Sequence, residues 1–135
     1  MAEKKIICDT DVMIDYWDTK NSRHTSTSAT LKNIGLDNII LPAITKMELL
    51  LGATNKTDLN RINKEIARFN IALINDDITL KAFSLIQNYS LSYGLILPDS
   101  IIASTAIITG LELFTYNIKD YIFITGISLF KPAMN

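Results

Sequence analysis

Four short apolar runs recur along this 135-residue chain, the first three each followed by a stretch whose apolar residues repeat at helical spacing. The runs are residues 5–8, Ile39-Ile40-Leu41, residues 71–74 and Leu113-Phe114-Thr115. Three or four continuous apolar residues are too few for a helix, and they match a strand buried on both faces of a parallel sheet. Helices are predicted over residues 11–17, 26–34, 45–53, 58–69, 77–93 and 99–109, with Gly35, Gly94 and Gly110 as stops. In 58–69, Leu59, Ile62, Ile66 and Phe69 share one face and Arg61, Lys64 and Arg68 another, as in an amphipathic helix. Residues 127–130 are predicted as an added edge strand, stopped by Lys131-Pro132. The alternation implies an α/β fold in three α/β/α layers around a mostly parallel sheet of four to five strands.

A hydrophobic content of 48% lets 135 residues bury a core without disulfides, so residues 1–135 are read as one domain. A net charge of −1 neither favours nor excludes a nucleic-acid partner. Cys8 is the only cysteine, which excludes an internal disulfide and a Cys-rich zinc site; its apolar setting reads as a buried thiol. His24 is the only histidine, so a two-histidine ribonuclease mechanism is unavailable, and it reads as a loop or helix-entry residue. Too few apolar residues precede Asp9 for a signal peptide, and the apolar region 95–114 is broken by Pro98-Asp99 and Glu112. A soluble, cytoplasmic protein is expected.

Four acidic signatures follow one another: Asp9-Thr10-Asp11, Thr45-x-x-Glu48-Leu49, Pro98-Asp99-x-x-Ile102-Ala103 and Thr115-x-Asn117-x-x-Asp120. Alone, Thr45 with Glu48 reads as a capping box, Asp99 as a carboxylate favoured by a helix dipole, and Asn117 with Asp120 as a polar turn. Asp9 resists such a reading, because a carboxylate directly after an apolar strand faces burial and then needs a partner, a proton or a metal. In parallel sheets, sites form beyond the carboxyl ends of the strands, where Asp9 and residues 115–120 should lie.

With Gly52, Tyr121, Gly126 and Pro132 added, these motifs resemble the PIN-domain ribonucleases, and within them the VapC-type toxins of VapBC toxin–antitoxin pairs, over nearly the whole chain. The resemblance implies a metal-dependent endoribonuclease that cleaves RNA, tRNA among the candidates, with catalytic and metal-binding acids Asp9, Glu48, Asp99 and Asp120. Thr10, Asn117 and Thr115 would support them. One or two Mg²⁺ or Mn²⁺ ions would relieve the repulsion among the carboxylates. Lys46 and Lys119 are candidate phosphate contacts, because the acids beside them locate the site. The resemblance further implies a homodimer and a cognate VapB-type antitoxin that blocks the acidic pocket, with the Leu49-Leu50-Leu51 run and the Tyr16-Trp17 pair as apolar surface or as ordinary core. Two departures stand out: Asp11 occupies a position that is usually Asn in such toxins, and Tyr116 one where Arg or Asn is common.

Asp9-Thr10-Asp11-Val12 also resembles the nucleophile motif of haloacid-dehalogenase-type phosphatases, with Asp9 as nucleophile and Asp11 as acid and base. The later motifs are out of order for that family, since Asp76-Asp77 precedes Thr115. A non-catalytic metal-binding interaction module is the remaining alternative.

Overall fold

A computed structural model describes residues 4–133. Four strands, β1 (Ile6–Cys8), β2 (Ile39–Pro42), β3 (Asn70–Ala72) and β4 (Glu112–Phe114), form one sheet in the order β3-β2-β1-β4. Every pairing is parallel, with Ile7 opposite Ile40 on one side and Leu113 on the other. The helices are α1 (Thr10–Trp17), α2 (His24–Ile34), α3 (Ala43–Leu51), α4 (Lys56–Ile66), α5 (Asp76–Tyr93) and α6 (Leu97–Thr109).

Strand side chains alternate between faces, and so they feed two cores. Ile6, Cys8, Ile39, Leu41 and Phe114 pack with Val12 and Met13 of α1, Leu31 of α2 and Ile62 and Ile66 of α4. Ile7 and Leu113 point the other way, onto Leu85 of α5 and Ile102, Ala103 and Ala106 of α6. Each fully buried Ile or Leu contributes roughly 1.5–3 kcal/mol, so this double-sided burial holds strands of only three or four residues in register. The Cys8 thiol is fully buried, and desolvation pushes its pKa up, as expected of a structural thiol.

Several element boundaries differ from expectation. Residues 127–130 do not form a strand: they meet β4 through a single parallel bridge, Leu113 to Leu129, flanked by hydrogen bonds from Leu113 N–H to Ser128 and from Phe130 N–H to Leu113. Helix α4 starts two residues earlier than predicted because Asn55 caps it, its side chain accepting from Asp58 N–H at 2.8 Å, and it ends at Ile66. Phe69 nevertheless packs into the first core, its ring 6.4 Å from Tyr16 and 6.5 Å from Trp17. Of the Leu49-Leu50-Leu51 run only Leu51 is exposed, so this run and the Tyr16-Trp17 pair are mainly core. Helix α5 stops at Gly94, whose φ of 70° is the left-handed conformation that a Cβ disfavours; the chain then turns directly into α6 and its Asp99. No helix of the described residues is long and apolar enough to cross a membrane.

Candidate active site

The crevice where the chain connection reverses direction lies between β1 and β4, at their carboxyl ends. Asp9 stands there as the N-cap of α1, 5% exposed, its own N–H tied to Phe114 O at 3.0 Å. Its Oδ1 accepts from Thr10 N–H at 2.7 Å and its Oδ2 from Thr115 Oγ1 at 2.8 Å. Thr115 is in turn steadied by Asn117, which acts through its backbone N–H at 3.0 Å, while the Asn117 side chain is exposed.

Glu48 arrives from α3. The capping-box expectation for Thr45 and Glu48 is corrected: α3 begins at Ala43, which places Thr45 inside the first turn and leaves Glu48 mid-helix. Thr10 Oγ1 donates to Glu48 Oε1 at 2.8 Å, with the buried Thr45 Oγ1 3.1 Å from Thr10. Asp99 lies in the first turn of α6, where the dipole favours a carboxylate. Its Oδ1 accepts from the hydroxyl of Tyr121 at 3.1 Å, and the same hydroxyl lies 3.3 Å from Asp9 Oδ2. Asp120 sits in a short 3-10 turn, Ile118–Asp120, and with Asp99 it borders a cavity of about 110 Å³ walled by Tyr93, Ile96 and Phe123.

The acids feel one another. Burial first, with the charges of Asp9, Asp120 and Glu48 adding to it against the lowering effect of the Tyr121 hydrogen bond, pushes the Asp99 carboxyl up to about 6. Asp9 is also raised, by burial first, with Glu48 adding to it against three hydrogen bonds that lower it. Crowded oxygen donors with raised pKa values and no histidine or thiolate suit a hard divalent cation. Among the described residues, however, no three acid, histidine or cysteine side chains are grouped tightly enough to hold an ion as they stand. The acids are instead joined pairwise through hydroxyl groups, Asp9 to Asp99 by Tyr121 and Glu48 to α1 by Thr10.

Two residues outside the expected set of four acids, Tyr121 and Asp11, also lie at this crevice. Tyr121 is fully buried, and its signal was available: a tyrosine in an otherwise apolar position needs a partner for its hydroxyl. Asp11 accepts from Val12 N–H at 2.8 Å and from Tyr116 N–H at 3.0 Å, so its carboxylate clamps the exit of β4. Burial, then the Asp9 charge, pushes its pKa up to about 7. With both oxygens engaged by backbone amides, Asp11 is poorly disposed to act as the phosphatase acid and base.

Tyr116 is held from its other side, its hydroxyl hydrogen-bonded to Thr27 Oγ1 and the Arg23 guanidinium 4.2 Å from its ring centre. Arg23 Nε also lies 2.7 Å from Oδ2 of Asp15, itself 3% exposed, in a close ion pair without hydrogen-bond geometry. His24, the first residue of α2, places Nδ1 3.3 Å from the Asp15 carbonyl. Arg23→Ala strands a buried carboxylate and removes the cation from the Tyr116 face. It should cost about 2 kcal/mol, below the roughly 3–5 kcal/mol of fully buried pairs because Arg23 is half exposed. Urea unfolding reads this directly, and an unchanged midpoint would show that the pair carries no net stability.

Neither Lys46, half-buried, nor Lys119, exposed, takes part in an ion pair among the described residues. By contrast, Arg61 is paired to Asp58 at 2.7 Å and Arg68 lies 3.9 Å from Glu65, the behaviour of a solvated charged face. Arg61 also borders a groove of about 390 Å³ that runs past Ile14, Trp17 and Leu49 to Glu48.

Residues 6–121 match the family described as PIN domain. No curated protein matches the chain. Among solved structures, a toxin–antitoxin complex from Klebsiella pneumoniae is 31% identical, with 91% of this chain and 95% of that chain covered and a TM-score of 0.74. FitAcB from Neisseria gonorrhoeae is 24% identical, covering 94% and 97%, with a TM-score of 0.75. VapC20 of Mycobacterium tuberculosis, described as a sarcin–ricin loop cleaving toxin, shares the fold at 10% identity, covering 92% and 99%, with a TM-score of 0.69.

Proposed function

Because this chain belongs to the PIN domain family, we propose that it is a metal-dependent endoribonuclease of the VapC toxin type, restrained by a cognate VapB-type antitoxin. The observation that carries this reading is the sharing of one buried hydroxyl by Asp9 and Asp99, acids from distant parts of the chain. In this reading Asp9 and Asp99 hold Mg²⁺ or Mn²⁺ directly, and Glu48 and Asp120 reach the ion through water or complete a second position. An ion so held supplies activation of water at neutral pH and stabilisation of the leaving oxygen. The chain's own residues do the positioning. Thr115 and Thr10 N–H fix Asp9, Thr10 Oγ1 aims Glu48, and Lys46 and Lys119 bind phosphates of the RNA.

The antitoxin reading draws on the Klebsiella pneumoniae complex and on the groove of about 390 Å³ that leads to Glu48. A homodimer is proposed from the family; the exposed apolar residues Leu80 and Phe83 of α5 and Leu97 of α6 offer a surface for it. Light scattering that shows only monomer would remove the dimer. Residues 1–135 act as one domain in this reading, and the protein works in the cytoplasm.

Purified, antitoxin-free protein incubated with total RNA and with tRNA should give discrete cuts in Mn²⁺ or Mg²⁺ and none in EDTA. Activated water should leave 5′-phosphate and 3′-hydroxyl ends; 2′,3′-cyclic phosphate would overturn that mechanism. Folded, metal-bound protein that cuts neither RNA pool would instead favour a binding module.

A further inference from the structure

We infer that Tyr121 is a positioning residue that acts through Asp99: its hydroxyl holds one carboxylate oxygen of Asp99 and so turns the other toward the crevice. The inference rests on the reading of Asp9 and Asp99 as metal ligands.

The supply of donors decides which acid Tyr121 serves. A phenol has one proton to give, so Tyr121 cannot donate to both carboxylates at once. Asp9 does not depend on it, because Thr10 N–H at 2.7 Å and Thr115 Oγ1 at 2.8 Å already serve its two oxygens. Asp99 does depend on it. The Tyr121 hydroxyl, at 3.1 Å, is the only donor to the Asp99 carboxylate among the described residues, and it lies nearer to Asp99 than to Asp9, where the distance is 3.3 Å.

Asp99 also has somewhere else to go. It stands three residues beyond Ile96, the N-cap of α6, and Ile96 supplies no side-chain cap. A carboxylate at that offset can fold back onto the N-cap amide, the second half of a capping box. The Tyr121 hydrogen bond is what selects the crevice-facing arrangement over that one.

Tyr121 is built to make the choice rigidly. Its ring is fully buried among Ile7, Ile102, Leu113 and Ile124, so the hydroxyl cannot follow a wandering carboxylate. The phenol also stands immediately after Asp120, so one short segment supplies both an acid and the group that orients another.

Tyr121→Phe preserves the packing and deletes only the donor. Crystal structures of metal-free wild type and Tyr121→Phe should show Asp99 swung toward the Ile96 amide in the variant, with Asp9 still on Thr115. Calorimetric titration should show Mn²⁺ binding weakened by about 10-fold, the lower end for loss of an orienting partner. The same substitution in an Asp99→Asn background should change Mn²⁺ affinity by less than about 2-fold, since the group it acts through is gone. Asp99 unmoved in the variant overturns the inference, whatever happens to affinity. Equal losses with and without Asp99 also overturn it. If Asp99 swings but wild type binds no Mn²⁺, the positioning role stands and the metal-centre reading falls.

Discussion

Asp9→Asn should lower metal-dependent RNA cleavage by at least about 100-fold, corresponding to roughly 2.7 kcal/mol of transition-state stabilisation, while leaving stability within about 1 kcal/mol of wild type. The two halves of this expectation have different origins. Asparagine keeps the size of the side chain and one acceptor oxygen at an N-cap, a position it suits as well as aspartate does. It forfeits one of the hydrogen bonds now made by Thr10 and Thr115, but it also removes a carboxylate whose burial disfavours its charge. Those changes offset each other in the folded state. With Asp9 as a proposed ligand, in contrast, the ion would lose a charged oxygen donor for a neutral one. Single-turnover cleavage and Mn²⁺ calorimetry on the same preparations separate the effects, and equal Mn²⁺ affinity in the variant would remove Asp9 from the ligand set.

In EDTA the protein should become less stable as pH rises from about 5 to 7.5, and saturating Mn²⁺ should cancel or reverse the trend. Asp11 and Asp99 are both raised from an ordinary 3.8, to about 7 and about 6. Between those limits the folded state binds more protons than the unfolded chain, so stability is present at the low end and is lost as pH climbs through 6 and 7. A tenfold change in proton affinity on folding is worth at most about 1.36 kcal/mol, and both carboxylates are partly solvated, so a combined loss of roughly 2 kcal/mol is expected. That corresponds to a Tm about 5 °C lower at pH 7.5 than at pH 5. Asp58 works in the opposite sense, lowered by its Arg61 hydrogen bond, but its contribution fades only as pH falls below its ordinary range and does not mask the trend. A Tm that climbs steadily from pH 5 to 7.5 in EDTA would show that the crowded acids carry no such penalty.

Much of this was readable in the order of residues, because strands and helices answer to local rules. Ile6 and Cys8 face one core and Ile7 the other for the same reason that a buried strand reads as a continuous apolar run. Asp9 at the end of β1, the stops at Gly94 and Gly110 and the capture of Cys8 in the core followed from neighbouring residues alone. The same local logic misread Thr45 and Glu48 as a cap: α3 begins at Ala43, with Pro42 as its N-cap, and Glu48, mid-helix, meets Thr10 of α1 instead.

The remaining arrangement depends on contacts between segments far apart in the chain, which no short pattern encodes. Nothing around position 11 announces that its carboxylate will seize the Tyr116 amide, nor anything around Asp15 that Arg23 will lie beside it and over the Tyr116 ring. Residues 127–130 carry the apolar signature of a strand, yet they make only a single bridge to β4. Local sequence therefore specified which acids stand at element ends, since dihedral preferences and burial act over a few residues. Which hydroxyl orients each acid was set by packing, since a hydrogen bond between Tyr121 and Asp99 exists only once α6, β4 and the turn after it have closed on one core.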